Sequence, residues 1–266
     1  MIIVIDALNK NNHTTLLDQM FRLRARVFRD RRGWDVAVTE DGREIDDFDR
    51  LDPAYILSLD DTGTVVGCAR LLQTTGPHML SDVFHDILDG EPPLRSATVW
   101  ESTRFCVDTD RLKQRSGRRG VSETTFELMI GTLEYARDAG ISDIVTVIDP
   151  VMDRVLKRSG NAPYGYVGRQ ADMGKVPALA ALLDCTDDRI HRLRDSAEIH
   201  GEVFADPATE RALEDANRPG KKGIDLQQYC DEQVAAATTE KEKADALALR
   251  DLLTRNFRDG HATCDS

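Results

Sequence analysis

Hydrophobic and polar positions follow strand and helix spacings in turn, from the start of the chain to about residue 204. The apolar run IIVI at 2–5 predicts a short buried strand. Apolar residues then recur at helical spacing from 16 to 28, and Gly33 is a stop signal, so a helix is predicted there. The segment AYILSLDDTGTVVGCARLLQT at 54–74 has two strand-like runs around the turn sequence DDTG and predicts a hairpin.

After the hairpin, strands and helices alternate. The segment PHMLSDVFHDIL at 77–88 is predicted to be short and helical or irregular, and DRLKQRSGRRG at 110–120 is predicted to be a basic loop. This order of elements predicts an α/β fold in which helices cover both faces of a mixed sheet. Strands are predicted at 98–108, 143–148, 164–170 and 175–184. Helices are predicted from Ser122 to Gly140, in the segment PVMDRVLKRSG at 150–160 with Gly160 past the helix end, and near 187–200.

The composition changes after about residue 204. Residues 205–266 are rich in Ala, Glu, Lys and Leu and have no strand signal, which predicts a helical extension with a break at NRPGKKG. We therefore expect a main domain at 1–204 and a C-terminal helical extension at 205–266. Packing on the domain or formation of a homodimer is a more natural role for the extension than catalysis.

Composition and charge exclude several classes of protein. The chain has 266 residues, 41% of them hydrophobic and 31% charged, as in ordinary globular proteins. Its net charge of −12 argues against nucleic-acid binding, since phosphate contacts need clustered cations. The cysteines form no C-x-x-C pair and the histidines no H-x-x-x-H spacing, so we expect reduced thiols and no metal site. Without a signal peptide or a long apolar stretch, a soluble, cytoplasmic protein that does not associate with membranes is expected.

The strand at 98–108, TVWESTRFCVD, carries an acid and a base in an otherwise largely apolar run. Glu101 and Arg104 are an odd number of residues apart, so a regular strand would send their side chains to opposite faces. They share a site only if an extra residue intervenes, which predicts a β-bulge around Ser102 and Thr103. The alternative is that one side chain faces solvent while the other caps a neighbouring element.

A second group of polar residues favours the bulge. Most arginines between 22 and 32 are best explained as a solvated helix face, but Arg24 neighbours the apolar face of its helix. Arg70 lies in an apolar strand and needs a partner, for which a structural ion pair and a functional role are equally good explanations. The loop sequence EIDDFD supplies Asp46 and Asp49. Together with nearby aromatic residues, these groups suit a ligand that carries both a cation and a carboxylate.

Five segments together resemble the acyl-homoserine-lactone synthases, the LuxI-type autoinducer synthases of bacterial quorum sensing. The segments are FRLRARVFRDRRGW, EIDDFD, VVGCARLL, TTGPHMLSDVF and WESTRFCV, in this order. The resemblance covers roughly residues 1–204, and the later residues have no counterpart in it. The pattern of the family falls on Arg24, Phe28, Trp34, Asp46, Asp49, Arg70, Phe84, Glu101 and Arg104.

The resemblance implies a fold like that of the GCN5-related N-acetyltransferases, a mixed twisted sheet flanked by helices. It implies that an acyl chain passes from acyl carrier protein to the α-amine of S-adenosylmethionine. Lactone closure then expels methylthioadenosine and yields a quorum-sensing signal. S-adenosylmethionine would be a substrate, and no cofactor is expected.

Roles for individual residues follow from the resemblance and the chemistry together. Glu101 is the candidate general base for the amine, with Asp46 as the competing choice. Arg104 would orient Glu101 or hold the substrate carboxylate, and backbone amides at the bulge would receive the oxyanion. Phe84 and Thr146 would contact the acyl chain. The expected S-adenosylmethionine site consists of Arg24, Phe28, Trp34, Asp46, Asp49 and Arg70.

An acidic enzyme needs a local basic patch to dock an acidic carrier protein. The alternative for each of the candidate residues is a solvated surface position. The candidates are Arg111, Lys113, Arg115, Arg118 and Arg119 in the predicted basic loop, and Arg154, Lys157 and Arg158 in the following helix.

Three other functions are alternatives to this one. The first is synthesis of the same lactone from acyl-coenzyme A. The second is a conventional N-acyltransferase of the same fold that acts on another amine. Its pyrophosphate loop, [QR]-x-x-G-x-[GA], is matched only approximately by QRSGRRG, since Arg119 occupies the final small position. The third is a binding module without activity, which would be marked by loss of Glu101 or Arg104, and both are present.

Overall fold

A computed structural model describes residues 1–173, 176–217 and Lys243. The residues from Met1 to Asn217 form one compact unit. The strands of the described residues form one sheet in the order β1-β2-β3-β4-β5-β7-β6. They are β1 (Ile2–Ile5), β2 (Ala54–Leu59), β3 (Val65–Gln73), β4 (Val99–Val107), β5 (Asp143–Ile148), β6 (Gly165–Asp172) and β7 (Pro177–Asp184).

Helices lie on both faces of this sheet, and three short 3-10 turns connect the elements. A π-helical turn, Arg26–Arg31, continues directly from the first helix. The 3-10 turns are Lys10–Asn12, Asp47–Leu51 and His85–Leu88. The helices are α1 (Thr14–Ala25), α2 (Met79–Asp82), α3 (Thr109–Asp138), α4 (Pro150–Arg158), α5 (Asp187–Ala197) and α6 (Pro207–Asn217).

The expected mixed sheet is confirmed. Only β4 and β5 pair in parallel, and every other neighbouring pair of strands among the described residues is antiparallel. Helix α1 packs on one face, here called the α1 face, against alternate residues of β1, β2 and β3. Helices α3 and α5 pack on the opposite face, here called the α3 face. The alternation of side chains along each strand supplies both apolar surfaces.

The predicted basic loop at 110–120 is wrong, because α3 begins at Thr109 and runs through this segment. The side chain of Asp108 caps its first turn by accepting a hydrogen bond from the backbone N–H of Arg111 at 3.1 Å. Leu112 is buried in the core on the α3 face, so the first turn of the helix is fixed by packing. Tertiary contacts at both ends of α3 thus override the low helix propensity of the glycines in the segment.

Strands β4 and β5 pair over a short distance and then separate. Their register begins at Val99↔Asp143 and ends at Ser102↔Thr146, although β4 continues to Val107. The remainder of β5 continues to pair with β7 on its other side. A gap in the pairing of β4 with β5 therefore opens in the middle of the sheet beyond Ser102.

The outer strand β6 packs closely against the turn His85–Leu88. Gly168 has a φ of +62°, and a Cβ atom there would lie only 1.9 Å from the carbonyl oxygen of Ile87. Only glycine permits this approach of the two backbones. The contact closes the α1 face next to the 3-10 turn that follows Phe84.

The first helix of the predicted extension, α6, belongs to the compact unit. Leu213 packs with the core under α1, and Phe204 bridges to Ile2 at the edge of the sheet. The predicted domain boundary at 204/205 therefore falls inside the packed unit. The remainder of the predicted helical extension, apart from Lys243, lies outside the described residues. No helix in the described part of the chain has the length and apolar character that a membrane span requires.

Candidate active site

The site is built around Arg24, which is fully buried on the inward face of α1. Its guanidinium forms ion pairs with two carboxylates from the loop after the helix. Nε donates to Glu44, and Nη1 and Nη2 donate to the two oxygens of Asp49 at 2.8 and 2.9 Å. The neighbours of Arg24 on this face are apolar, so these carboxylates replace the water that the cation has lost. The apolar neighbours are Met20, Leu23 and Val27.

The π-helical turn after α1 positions two aromatic rings. Phe28 lies within this turn and is buried, and Trp34 lies just beyond it. The rings stack with their centroids 5.2 Å apart and their planes inclined by 7°. Trp34 remains 39% exposed, so the stack forms a wall that a ligand can reach.

Asp46 and Asp49 are held by the turn that they flank. Asp46 accepts hydrogen bonds from the backbone N–H groups of Phe48 and Asp49, at 3.0 and 3.2 Å. Asp49 accepts one from the backbone N–H of Asp46 at 2.8 Å. This reciprocal capping box fixes both carboxylates with their remaining lone pairs directed at the arginines.

Arg70 lies on the α1 face of β3 and is fully buried. Nε donates to the hydroxyl of Thr103 at 3.0 Å. Nη1 and Nη2 donate to Asp46, and Nη1 also donates to Asp49 at 2.8 Å. Nη2 contacts the sulfur of Met79 at 3.2 Å. The expected need of Arg70 for partners is thus met by the loop carboxylates.

A β-bulge is present in β4, but two residues later than the predicted position at Ser102 and Thr103. Ser102 and Thr103 keep regular pairing with β3, and the register shifts between Thr103 and Cys106. Arg104 and Phe105 therefore face the single residue Ala69. Arg104 has a φ of 54°, in the left-handed region. The bulge turns the Arg104 side chain toward the α1 face, and its ion pairs compensate for the unfavourable backbone.

Arg104 completes the cluster. Nη2 donates to Asp46 at 2.6 Å, Nε donates to Glu44 at 3.2 Å, and Nη1 contacts the sulfur of Met79 at 3.4 Å. Its guanidinium carbon lies 5.7 Å from the centroid of the Phe28 ring. The side chain is 12% exposed, so Arg104 faces both the buried charges and the aromatic wall.

The cluster is electrically balanced. Tyr55 adds a hydroxyl that donates to Asp49 at 2.8 Å. Burial alone would raise the pKa of Asp49, but the charges and hydrogen bonds of Arg24 and Arg70 outweigh it and lower that pKa below its usual range. Removal of one member would leave a buried charge unpaired, at a cost of roughly 3–5 kcal/mol. The members are the guanidinium groups of Arg24, Arg70 and Arg104 and the carboxylates of Glu44, Asp46 and Asp49.

Glu44 was not predicted from the sequence. It is fully buried and accepts hydrogen bonds from both Arg24 and Arg104. Charge balance could have indicated it. The sequence predicted three arginines in the site but only two carboxylate partners in the neighbouring loop, Asp46 and Asp49, so a third carboxylate was needed. In the loop sequence REIDDFD, Glu44 lies two residues before Asp46 and five before Asp49.

Glu101 is fully buried on the α1 face of β4. Its two oxygens accept hydrogen bonds from the backbone N–H groups of Met79 and Leu80, at 2.6 and 2.7 Å. These amides begin α2 and have no partner within the helix. Burial raises the pKa of Glu101 to about 7, against the opposing effect of the two amides. Arg104 bonds to other carboxylates and not to Glu101, so the expected orienting role of Arg104 is wrong. Met79 links the two residues instead.

The two residues predicted to contact the acyl chain lie on opposite faces of the sheet. Phe84 packs against the apolar cluster on the α1 face that contains Leu80 and Val145. Thr146 is in register with Ser102 and Ala181 on the α3 face. Paired residues of neighbouring strands share a face, so the structure does not place Phe84 and Thr146 in one pocket.

The predicted basic patch divides between two helices. Arg111 is already engaged by Asp60 at 2.8 Å, whereas Lys113 is exposed. Arg154 and Arg158 are exposed on α4, and Lys157 pairs with Asp153 at 2.7 Å. The side chains of Arg115, Arg118 and Arg119 lie outside the described residues.

Known proteins are similar to this chain in sequence and in fold. A family model described as autoinducer synthase matches residues 7–193. A probable acyl-homoserine-lactone synthase of Sinorhizobium fredii is 40% identical over 179 residues, which cover 67% of this chain and 85% of that protein.

Two solved structures are similar over nearly their whole length. The coenzyme-A-dependent acyl-homoserine-lactone synthase MesI has a TM-score of 0.67 and 30% identity, and the similarity covers 77% of this chain and 100% of MesI. The coenzyme-A-dependent acyl-homoserine-lactone synthase BjaI, solved with S-adenosylmethionine and isopentyl-coenzyme A, has a TM-score of 0.66 and 28% identity. Here the similarity covers 80% of this chain and 98% of BjaI.

The buried carboxyl of Glu101 predicts a specific dependence of stability on pH. Its pKa is about 7 in the folded protein and about 4.3 when unfolded. Between these values the folded state retains a proton that the unfolded state has released, so stability falls as pH rises, by about 4 kcal/mol at most. We expect Glu101→Gln to remove this decline in urea unfolding measurements at pH 4.5–7.

The exposed residue Glu40 provides the matched control, and Glu40→Gln should keep the wild-type slope. The Asp49 effect has the opposite sign and acts below this window, because a lowered pKa makes stability fall only as pH drops below about 4. An unchanged slope in Glu101→Gln would show that Glu101 is ionised throughout the window.

Proposed function

This chain belongs to the autoinducer synthase family, and from that premise we propose that it transfers an acyl chain from acyl carrier protein to the α-amine of S-adenosylmethionine. Lactone closure then releases methylthioadenosine. As an acyl-homoserine-lactone synthase the chain is an acyltransferase that makes a quorum-sensing signal. The observation that carries the proposal is the balanced, buried cluster of arginines and carboxylates beside the stacked rings of Phe28 and Trp34.

The chemistry of S-adenosylmethionine matches this arrangement. Its sulfonium and ammonium groups suit aromatic faces and carboxylates, and its carboxylate suits guanidinium groups. Trp34 on the aromatic side, and Arg104 and Asp46 on the charged side, have exposed surface that a ligand can contact. The structure of BjaI with S-adenosylmethionine supports the same substrate for this chain.

The amine must lose a proton before it attacks the thioester. An α-amino group titrates near pH 8, so a carboxylate with a raised pKa needs to supply only a modest driving force. Glu101, with a pKa of about 7, is suited to accept this proton, directly or through a water. Asp46 is the alternative, because it is 16% exposed, but both of its oxygens already accept guanidinium N–H groups.

The gap between β4 and β5 is the proposed position of the acyl thioester. It begins after the pair Ser102↔Thr146, next to the bulge at Arg104. An acyl chain in this gap would reach both faces of the sheet and could contact Phe84 on one face and Thr146 on the other. Backbone amides at the bulge would stabilise the oxyanion as the amine nitrogen bonds to the acyl carbon and the thiol departs.

Ring closure follows within the same bound molecule. The carboxylate oxygen attacks the γ-carbon, the carbon–sulfur bond breaks, and the electron pair leaves with the sulfur as neutral methylthioadenosine. Formation of a five-membered ring from one held molecule has a large proximity advantage. The enzyme therefore needs to hold the carboxylate near the γ-carbon, a task that suits Arg70 and Arg104.

The choice of acyl donor rests on surface charge. Arg154 and Arg158 are exposed on α4, directly after β5, and form a cationic surface on an acidic protein. Such a surface favours an acidic carrier protein. MesI and BjaI are named as coenzyme-A-dependent enzymes, which supports acyl-coenzyme A as the second candidate donor.

One assay with the full-length protein tests both the proposed reaction and the proposed acyl donor. Incubated with S-adenosylmethionine and an acyl carrier protein thioester, it should release methylthioadenosine and an acyl-homoserine lactone, measured by mass spectrometry. We expect kcat/KM to be at least about tenfold higher with the carrier protein thioester than with the matching acyl-coenzyme A, because charge steers the encounter. Release of lactone only from coenzyme A would contradict the proposed donor, and no methylthioadenosine with any donor of a panel would contradict the reaction.

Two substitutions separate the candidate bases. Glu101→Gln should lower kcat about 100-fold or more and change the KM for S-adenosylmethionine by no more than about threefold, as expected for loss of proton transfer. Asp46→Asn should mainly raise this KM, because Asp46 holds both Arg70 and Arg104. Steady-state rates at saturating acyl donor measure both effects. The reverse pattern would identify Asp46 as the base.

Charge reversal on α4 tests docking. The double substitution Arg154→Glu and Arg158→Glu should raise the KM for the carrier protein thioester about tenfold at low salt and leave the KM for S-adenosylmethionine unchanged. Arg211→Glu is the control, because Arg211 is exposed on α6. An equal effect of the control would mean that net charge, rather than the α4 surface, determines the interaction.

A further inference from the structure

The sulfur of Met79 lies where two cationic side chains meet. Nη2 of Arg70 approaches it at 3.2 Å and Nη1 of Arg104 at 3.4 Å. Met79 is 5% exposed and its backbone N–H donates to Glu101, which fixes the start of α2. The thioether is therefore held between two guanidinium groups from different strands.

A thioether is a poor partner for these donors. The sulfur of methionine is a weak hydrogen-bond acceptor, whereas a carboxylate oxygen forms short, charge-assisted bonds with guanidinium groups. The other hydrogen bonds of the Arg70 guanidinium go to oxygen atoms of Thr103, Asp46 and Asp49. The N–H groups of Arg70 and Arg104 that contact Met79 therefore make the weakest hydrogen bonds of these two side chains. A stronger acceptor would improve the hydrogen bonding of these groups most.

The local charge favours an anion at this point. Asp46 is shared between Arg70 and Arg104, while Glu44 and Asp49 also serve Arg24 on the far side of the cluster. The side of the cluster that faces Met79 consequently presents two cations and a neutral sulfur. A carboxylate oxygen placed between two converging guanidinium N–H groups would complete their hydrogen bonding.

We propose that Met79 is a positioning residue whose thioether occupies the subsite of the substrate carboxylate and is displaced from it when S-adenosylmethionine binds. The inference rests on the proposed function, since it takes S-adenosylmethionine as the ligand. In the free protein the sulfur keeps the two guanidinium groups directed at the subsite. The link from Met79 to Glu101 through α2 places this subsite next to the candidate base.

Met79→Leu removes the acceptor and keeps most of the side-chain volume. The free protein loses two weak hydrogen bonds, whereas the complex with S-adenosylmethionine loses nothing. We expect binding of S-adenosylmethionine to tighten about fivefold, as the loss of two such bonds implies, and its KM to fall accordingly. Met129→Leu is the matched control, because Met129 is buried in the core on the α3 face, and it should leave binding unchanged.

Decarboxylated S-adenosylmethionine is the decisive comparison, because it keeps the sulfonium and the amine and lacks only the carboxylate. Isothermal titration should show that Met79→Leu leaves its affinity unchanged, so the ratio of the two affinities shifts about fivefold. This ratio does not depend on the fraction of folded protein. Equal changes for both ligands, or weaker binding of S-adenosylmethionine, would show that Met79 merely lines the pocket and would overturn the proposal.

A measurement on the wild-type chain does not depend on folding of the variant. With ¹³C-labelled methionine methyl groups, the Met79 signal should move on addition of S-adenosylmethionine and stay nearly in place with the decarboxylated analogue. A signal that responds equally to both ligands would overturn the displacement. Absence of binding by either ligand would instead overturn the proposed function, so the two failures are distinguishable.

Discussion

Buried guanidinium groups that must be paired are the constraint on which the rest of this structure depends. Arg24 and Arg70 have no exposed surface, and an unpaired cation in such a place would cost several kcal/mol. Their partners come from a loop that has little regular structure of its own. The loop carboxylates consequently do two things at once, since they neutralise the arginines and anchor the loop over the sheet.

The same constraint explains the unusual backbone of β4. A regular strand would direct the Arg104 side chain away from Glu44 and Asp46, where it would lose both ion pairs. The bulge, with Arg104 at a φ of 54°, brings the side chain to the α1 face instead. Local strain is thus balanced by charge pairing, and the bulge lies where the pairing of β4 with β5 ends. The bulge at Arg104 is therefore linked both to the ion pairs of the site and to the opening in the sheet.

Glu101 shows how one side chain can serve structure and chemistry. It is buried beside apolar residues, which raises its pKa, and it holds the first amides of α2. The helix in turn places the sulfur of Met79 between Arg70 and Arg104. Contacts therefore connect the carboxylate of Glu101, the first residues of α2 and the guanidinium groups of Arg70 and Arg104. A substitution at one of these residues is expected to shift the positions of the others.

The sequence by itself determined the order of strands and helices, the mixed sheet and most of the charged residues of the site, because hydrophobic periodicity and the need to pair buried charges are local properties that can be counted. It did not determine that α3 begins at Thr109, that Glu44 is the third carboxylate, or that Thr146 lies across the sheet from Phe84. Each of these depends on which surfaces meet after the chain has folded. Packing of Leu112 overrides glycine propensity, and the register of β4 with β5 decides the face on which Thr146 lies. Hydrophobic periodicity indicates which side of a helix or strand is apolar, but only the tertiary structure decides which residues pack against that side.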